Sequence, residues 1–218
     1  MSDARARILG RLRAAAPASA PDRVPVPISP ATPANQADLL ASFRARLEAV
    51  RAEVHLADAD GWPALVQRLA RARGVARLLF GADGQLADAL RRQFADEDTP
   101  ALVPYADPIE AWKGELFSGI DAGVTSSLGG IAETGSVILW PGPAEPRLLS
   151  LVPPVHFVIV AAAQLHATLA DAIAAQRWAE GMPTNALLIS GPSKSADIEQ
   201  TIAYGVHGPK AFVVIVVT

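Results

Sequence analysis

An α/β fold, with an open and mostly parallel sheet covered by helices on both faces, is predicted by three features of the sequence. Short runs of Leu, Ile and Val alternate with segments of helical periodicity, as expected for strands buried on both faces and joined by crossover helices. Half of the 218 residues are hydrophobic, ample for the core of one α/β domain. The apolar runs are also far shorter than the roughly 18–20 residues a membrane-spanning helix requires.

The elements follow in order. Residues 2–16 read as a helix with Ile8, Leu9 and Leu12 on one side and Arg5, Arg7, Arg11 and Arg13 around them. Prolines at 17, 21, 25, 27, 30 and 33 then fix φ and remove donors, which predicts an extended arm. We therefore expect a helix and Pro-rich arm over residues 1–33 and an α/β domain over 34–218. Leu39, Leu40, Phe43, Leu47 and Val50 mark a helix leading to a strand at Glu53–Leu56. A helix with Trp62, Leu65, Val66 and Leu69 precedes a strand at Ala76–Phe80. Asp83 is placed to cap a helix running to about Phe94, followed by a strand at Ala101–Val103. Ile109, Trp112, Leu116 and Phe117 mark another helix. Between Gly119 and Val160 strands and turns replace the alternation, which predicts a strand-rich insertion walling a cleft. A helix is expected over Gln164–Trp178. The end of the chain reads as strand, polar loop, short helix, turn and strand. Its flanking runs, Ala186–Ile189 and Phe212–Val217, resemble buried parallel strands.

Composition narrows the chemistry. Nineteen basic and 22 acidic residues give a formal charge of −3, so no concentrated basic field points to nucleic acid. The absence of cysteine excludes disulfides, thiolate zinc sites, a cysteine nucleophile and a self-contained iron–sulfur cluster. The four histidines, His55, His156, His166 and His207, show no short metal-binding spacing. No GxGxxG or GxxxxGK[ST] motif is present. A cytoplasmic location is the expectation, since no early apolar core with a cleavage site is seen.

Three constellations can carry chemistry. In IAETGS, Glu133 lies among small residues just before an apolar strand; burial there would raise its pKa and suit it to base, acid or nucleophile work. A structural Glu bonding loop amides fits the same residues. Arg147, in a Pro/Gly-rich loop, offers a fork for carboxylate or phosphate, and His156 opens an apolar strand from which its ring can enter a cleft. The third is SGPSKSADIEQTIAYGVHGP. Its loop, with Ser190, Gly191, Ser193 and Lys194, resembles an anion cradle at a helix start. Asp197 and Glu199 in the expected first turn complement the helix dipole and oppose a phosphate. His207 follows in a tight turn.

Together GVTSSLGGIAETGSVIL, PRLLSLVPPVHFVIV and LISGPSKSADIEQTIAYGVHGPKAFVVIVV resemble the LUD-domain family, in its lactate-utilization C-type branch. The resemblance is clear over roughly residues 100–218. It implies a NagB/RpiA/CoA-transferase-like fold. It also implies a place in oxidation of L-lactate to pyruvate beside iron–sulfur partner proteins, this chain holding no cluster itself. By resemblance the motif positions are Glu133, Thr134, Gly135, Arg147, His156, Ser190, Gly191, Pro192, Ser193, Asp197, Glu199, His207 and Gly208. We therefore expect Glu133, His156 and Asp197 as catalytic candidates. Thr134, Gly135, Arg147, Ser190, Gly191, Ser193, Lys194, Glu199 and His207 are expected to bind a small anionic ligand. No metal is expected, no cofactor is specified, and a homo-oligomer is compatible with the sequence. The alternative is a stand-alone acyl/CoA-transferase-like or sugar-phosphate-isomerase-like enzyme using Glu133.

Overall fold

A computed structural model describes residues 2–15, 35–95, 100–197, 201–205 and 207–218. The chain divides into two units, 1–30 and 31–218. The first contains helix α1 (Ser2–Ala15), on which Ile8, Leu9 and Leu12 are exposed. The expected Pro-rich arm lies outside the described residues.

Six strands of the second unit form one sheet: β1 (Glu53–Ala57), β2 (Arg77–Gly81), β3 (Ala101–Tyr105), β4 (Ala122–Thr125), β7 (Val155–Ala161) and β12 (Ala211–Val217). Their order is β1-β12-β7-β4-β2-β3, and every neighbouring pair is parallel. The central strands are buried on both faces, which is why they read as continuous apolar runs. β3 is an edge strand and carries Pro104 opposite Phe80.

Each face has its own core. Helices α3 (Trp62–Ala72) and α4 (Ala87–Gln93) cover one, packing Trp62, Val66 and Leu90 on Leu78, Phe80, Phe157 and Ile215. The opposite face is covered at one end by α5 (Ile109–Ser118) and the single turn α6 (Leu148–Leu151), around Leu79, Leu116 and Leu149. At its other end α2 (Gln36–Ala49) packs Phe43 and Leu47 against Val54, Val158 and Val214. Connections that move toward β3 cross the first face, and those that return toward β12 cross the second, as right-handed crossovers require.

A second sheet lies on that second face. It has the order β8-β5-β6-β9, from β5 (Gly129–Ile131), β6 (Ser136–Leu139), β8 (Leu165–His166) and β9 (Leu187–Ile189). Val137 and Leu139 share a core with the main sheet. Ile131 and Ile138 face the other way, onto α7 (Leu169–Ala175) and Trp178. Of these strands β5 and β6 fall in the strand-rich stretch expected over Gly119–Val160, which also holds the helical turn α6, whereas β8 and β9 come from beyond it.

Several local expectations are corrected. β9 does not join the parallel sheet; it pairs antiparallel with β6 and is only partly buried. The short helix expected in the segment between Ile189 and Phe212 is instead a hairpin of β10 (Lys194–Asp197) and β11 (Thr201–Tyr204), with Lys194 opposite Tyr204 and Asp197 opposite Thr201. Asp197 is thus a strand residue, not a carboxylate in the first turn of a helix. The segment from Gln164 to Trp178 is also divided: Leu165 belongs to β8, and α7 starts only after Thr168. Asp83 caps nothing, because α4 begins at Ala87 behind Leu86.

Thr168 starts α7 with a reciprocal cap. Its hydroxyl accepts from the Asp171 N–H at 3.1 Å, while the Asp171 carboxylate accepts from the Thr168 N–H at 3.0 Å. Thr168→Ala is expected to cost about 1 kcal/mol, read as a lower urea midpoint at unchanged slope. An unmoved midpoint would show that the cap contributes nothing.

Candidate functional site

His156 is the second residue of β7 and is fully buried. Its register partners are Gly123 on β4 and Phe212 on β12, whose ring centroid lies 5.4 Å from the imidazole. Gly123 lets α6 approach directly, because a Cβ there would run into the Leu149 carbonyl oxygen. The imidazole therefore lies between sheet and α6. Its Nε2 is 2.9 Å from Thr125 Oγ1, and among the described residues its Nδ1 has no partner. Burial pushes its pKa down to about 3, so the ring is neutral near pH 7.

A cavity of about 240 Å³ opens over this ring. His156, Ser190, Gly191, Ser193 and His207 all line it, with Ser150 of α6. Ser190 is tied to the second sheet by a hydroxyl chain, Thr134 Oγ1–Ser136 Oγ–Ser190 Oγ, with 2.7 Å at each link. The Ser193 N–H donates to Pro209 O at 2.9 Å, and Gly205 N–H to Ser193 O at 2.8 Å, so the two ends of the hairpin close together. The strand end, the hairpin base and α6 thus bring distant sequence segments around one buried imidazole.

Other predicted residues lie elsewhere. Glu133 is exposed on the turn between β5 and β6, where its N–H donates to Ala167 O at 3.0 Å. The burial expected for its carboxylate is absent, because the small neighbours build a tight turn that points outward. Thr134 is exposed beside it, and Gly135, at φ 63°, packs against Arg46 of α2. Arg147 is exposed and borders a separate groove with Pro141, Thr184 and Asn185, so it does not share a pocket with His156. Lys194 is exposed on β10. Glu199 lies outside the described residues.

A second cleft, of about 150 Å³, lies next to the first and is lined by Gln85, Thr125, Ser126, Trp140, Glu145 and Ser150, among others. Thr125, bonded to His156, and Ser150, common to both linings, stand between the two spaces. Glu145 accepts from the Ser126 N–H at 3.0 Å and the Ser126 hydroxyl at 2.8 Å, both at Oε2. Burial raises its pKa, and the two Ser126 bonds oppose that rise. Sequence reading missed Glu145. The available signal was its Pro/Gly-rich loop, PGPAEPR, in which Arg147 drew the attention.

A family model described as the LUD domain matches residues 40–217, which contain both cavities. The chain belongs to the LUD domain family. This LUD domain is 35% identical, over 84% of its own chain and 78% of the other, to an uncharacterised protein of Neisseria meningitidis serogroup B. It is 39% identical to lactate utilization protein C of Bacillus licheniformis, over 44% of this chain and 41% of that protein. For lactate utilization protein C of Bacillus subtilis the identity is 34%, over 57% and 53%. The matched stretches thus span about half or less of those two proteins. The crystal structure of a DUF162 family protein from Deinococcus radiodurans superposes with a TM-score of 0.61 at 27% identity, covering 85% of this LUD domain and 100% of that chain.

The described residues hold no grouping of three or more His, Cys, Asp or Glu side chains able to bind a metal ion. They also hold no helix long and apolar enough to cross a membrane.

Proposed function

We propose that this LUD domain is the non-cluster component of a lactate-utilization system, in which L-lactate is oxidised to pyruvate together with iron–sulfur partner proteins. On this reading the α/β part, residues 34–218, holds a small anionic ligand in the cavity over His156, and residues 1–33 serve partner contact in the cytoplasm. The sheet is assigned to the NagB/RpiA/CoA-transferase-like group.

One observation supports the ligand assignment above the others: a fully buried histidine lines a cavity with its Nδ1 unpartnered. If Thr125 donates to Nε2, the neutral ring carries its proton on Nδ1, a donor that a carboxylate would satisfy. The Ser193 hydroxyl adds a further donor at the same cavity, as does Ser190 when Ser136 donates to it. The likeness to lactate utilization C proteins supplies the process. Electron transfer falls to the partners, since the chain has no cysteine to hold a cluster. The stand-alone enzyme reading built on Glu133 gains no support, because that side chain is exposed and outside both cavities.

Purification of the tagged chain from its own host, grown on L-lactate, is the test. Two iron–sulfur proteins are expected to co-elute, and the purified chain should bind lactate or pyruvate with at least tenfold loss in a Ser190→Ala/Ser193→Ala variant. A monodisperse chain that retains neither cluster protein under these conditions would overturn the pathway assignment. Undiminished binding in the double variant would overturn the site.

A further inference from the structure

The cleft around Glu145 lies between two neighbouring strands of the main sheet whose connections leave to opposite faces. β2 leads through α4 to β3 on one side, whereas its neighbour β4 leads through the second sheet to β7 on the other. Between two such strands the crossover elements diverge, and a crevice opens outside their carboxyl ends. Gly81 is the last residue of β2 and Thr125 the last of β4; the cleft is lined by Gln85, Thr125 and Ser126, which end or follow those strands. The backbone is shaped closely to the carboxylate: a Cβ on Gly81 would meet Glu145 Cγ at 2.8 Å, and one on Gly84 would meet Oε1 at 2.8 Å.

The lining has an unequal supply of donors and acceptors. The Ser126 hydroxyl donates to Glu145 Oε2 at 2.8 Å, Ser127 to Ile159 O at 2.8 Å and Ser150 to Arg147 O at 3.0 Å. A hydroxyl has one proton, so each of these oxygens has only lone pairs left to offer. Glu145 Oε1 has no hydrogen-bond partner among the described residues. Gln85 and Trp140 are lining side chains that retain donors, and Thr125 keeps its proton only in the tautomer in which His156 Nε2 donates to it. No Lys or Arg lines the cleft. An anion would meet a carboxylate and spent hydroxyls there.

We propose that this cleft binds a small organic cation, a primary ammonium or guanidinium group, with Glu145 as its counter-ion. Such a head brings several N–H donors to Glu145 Oε1 and the serine oxygens, neutralises the half-buried carboxylate, and can lie against the Trp140 indole. The site is distinct from the His156 cavity and stands whether or not that cavity holds an anion. Binding strengthens as pH rises through the raised Glu145 pKa, because the ammonium pairs with the ionised carboxyl.

Saturation-transfer NMR on the full chain with ethanolamine, putrescine and arginine tests this, with erythritol and acetate as neutral and anionic controls. The amines are expected to saturate and the controls not to. Glu145→Gln keeps an amide oxygen for the Ser126 N–H and should weaken amine binding at least tenfold at unchanged Tm. Gln85 is exposed at the rim, so Gln85→Lys should fold and set its own ammonium against Glu145, displacing the free amines. This second variant decides the matter if Glu145→Gln fails to fold. Equal or stronger binding of erythritol or acetate would overturn the proposal. So would an absence of amine binding at tens of millimolar, or amine binding untouched by the folded variants.

Discussion

Acidification from pH 6.5 toward 3 is expected to remove roughly 4–5 kcal/mol of folding stability through His156 alone, at about 1.4 kcal/mol per pH unit. The ordinary imidazole pKa of 6.5 holds in the unfolded chain, whereas burial brings the folded value down to about 3. Between these values the unfolded state binds a proton that the folded state refuses. Stability therefore rises with pH across this window and is insensitive to this residue above it. Carboxylates titrate over the same range, so a difference is needed. In His156→Phe/Thr125→Val both partners of the 2.9 Å bond are replaced by apolar groups of similar size, leaving no orphaned hydroxyl. Urea unfolding of both proteins at pH 7, 5 and 4 gives the comparison. The gap should move in favour of the variant as pH falls, and parallel curves would show that the imidazole is not buried. The same shift bears on the proposed ligand site: a neutral His156 would contribute one hydrogen bond there and no charge near neutral pH.

Gly129→Ala is expected to cost roughly 3–5 kcal/mol, from backbone strain plus overpacking. Gly129 has φ 129°, a conformation L side chains rarely adopt. Its Cβ would also press into the Gln164 carbonyl oxygen, which cannot rotate away, with Gln164 Cβ at 2.9 Å behind it. This is where β5 passes the turn leading into β8, so the second sheet has no slack to give. Domains are typically stable by only about 5–15 kcal/mol, so poor soluble yield and a collapsed urea midpoint are the expected readouts. Gly142→Ala is the control: a Cβ there meets nothing within 4 Å and should move the midpoint little. A Gly129→Ala protein within 1 kcal/mol of the parent would contradict the account.

The parallel sheet was legible because strands buried on both faces must be apolar throughout, and β2, β7 and β12 are. α3 was legible from Trp62, Leu65, Val66 and Leu69, all on the face that meets the sheet. The terminal hairpin was not. Ile198 and Ile202 stand four apart, and Gly205 at φ 71° sits where a helix would end, so local signals favour a helix; pairing between β10 and β11 prevails. Leu187–Ile189 has the composition of a central strand, yet only contact with β6 determines which sheet it joins. The site shows the same division. His156, Ser190, Ser193 and His207 stood out as polar groups beside apolar runs, and the fold gathers them around one cavity. Glu133 lacks its expected burial and Glu145, for which the sequence raised no expectation, is the half-buried carboxylate: small neighbours accompany an exposed turn as readily as a buried one, and a carboxylate among prolines gives no sign that Gly81 and Gly84 close upon it.

Pro104 has a consequence for self-association. A parallel sheet ends in unsatisfied backbone donors and acceptors along its outermost strands, and these can recruit a strand from another molecule. Proline within a sheet is confined to edges, with its missing N–H on the open side. At β3 it therefore interrupts the row of donors that an incoming strand would need. Two copies of this LUD domain are poorly suited to fuse their main sheets across β3, which leaves β1, the opposite outer strand and free of proline, as the edge of that sheet with an uninterrupted row of backbone groups.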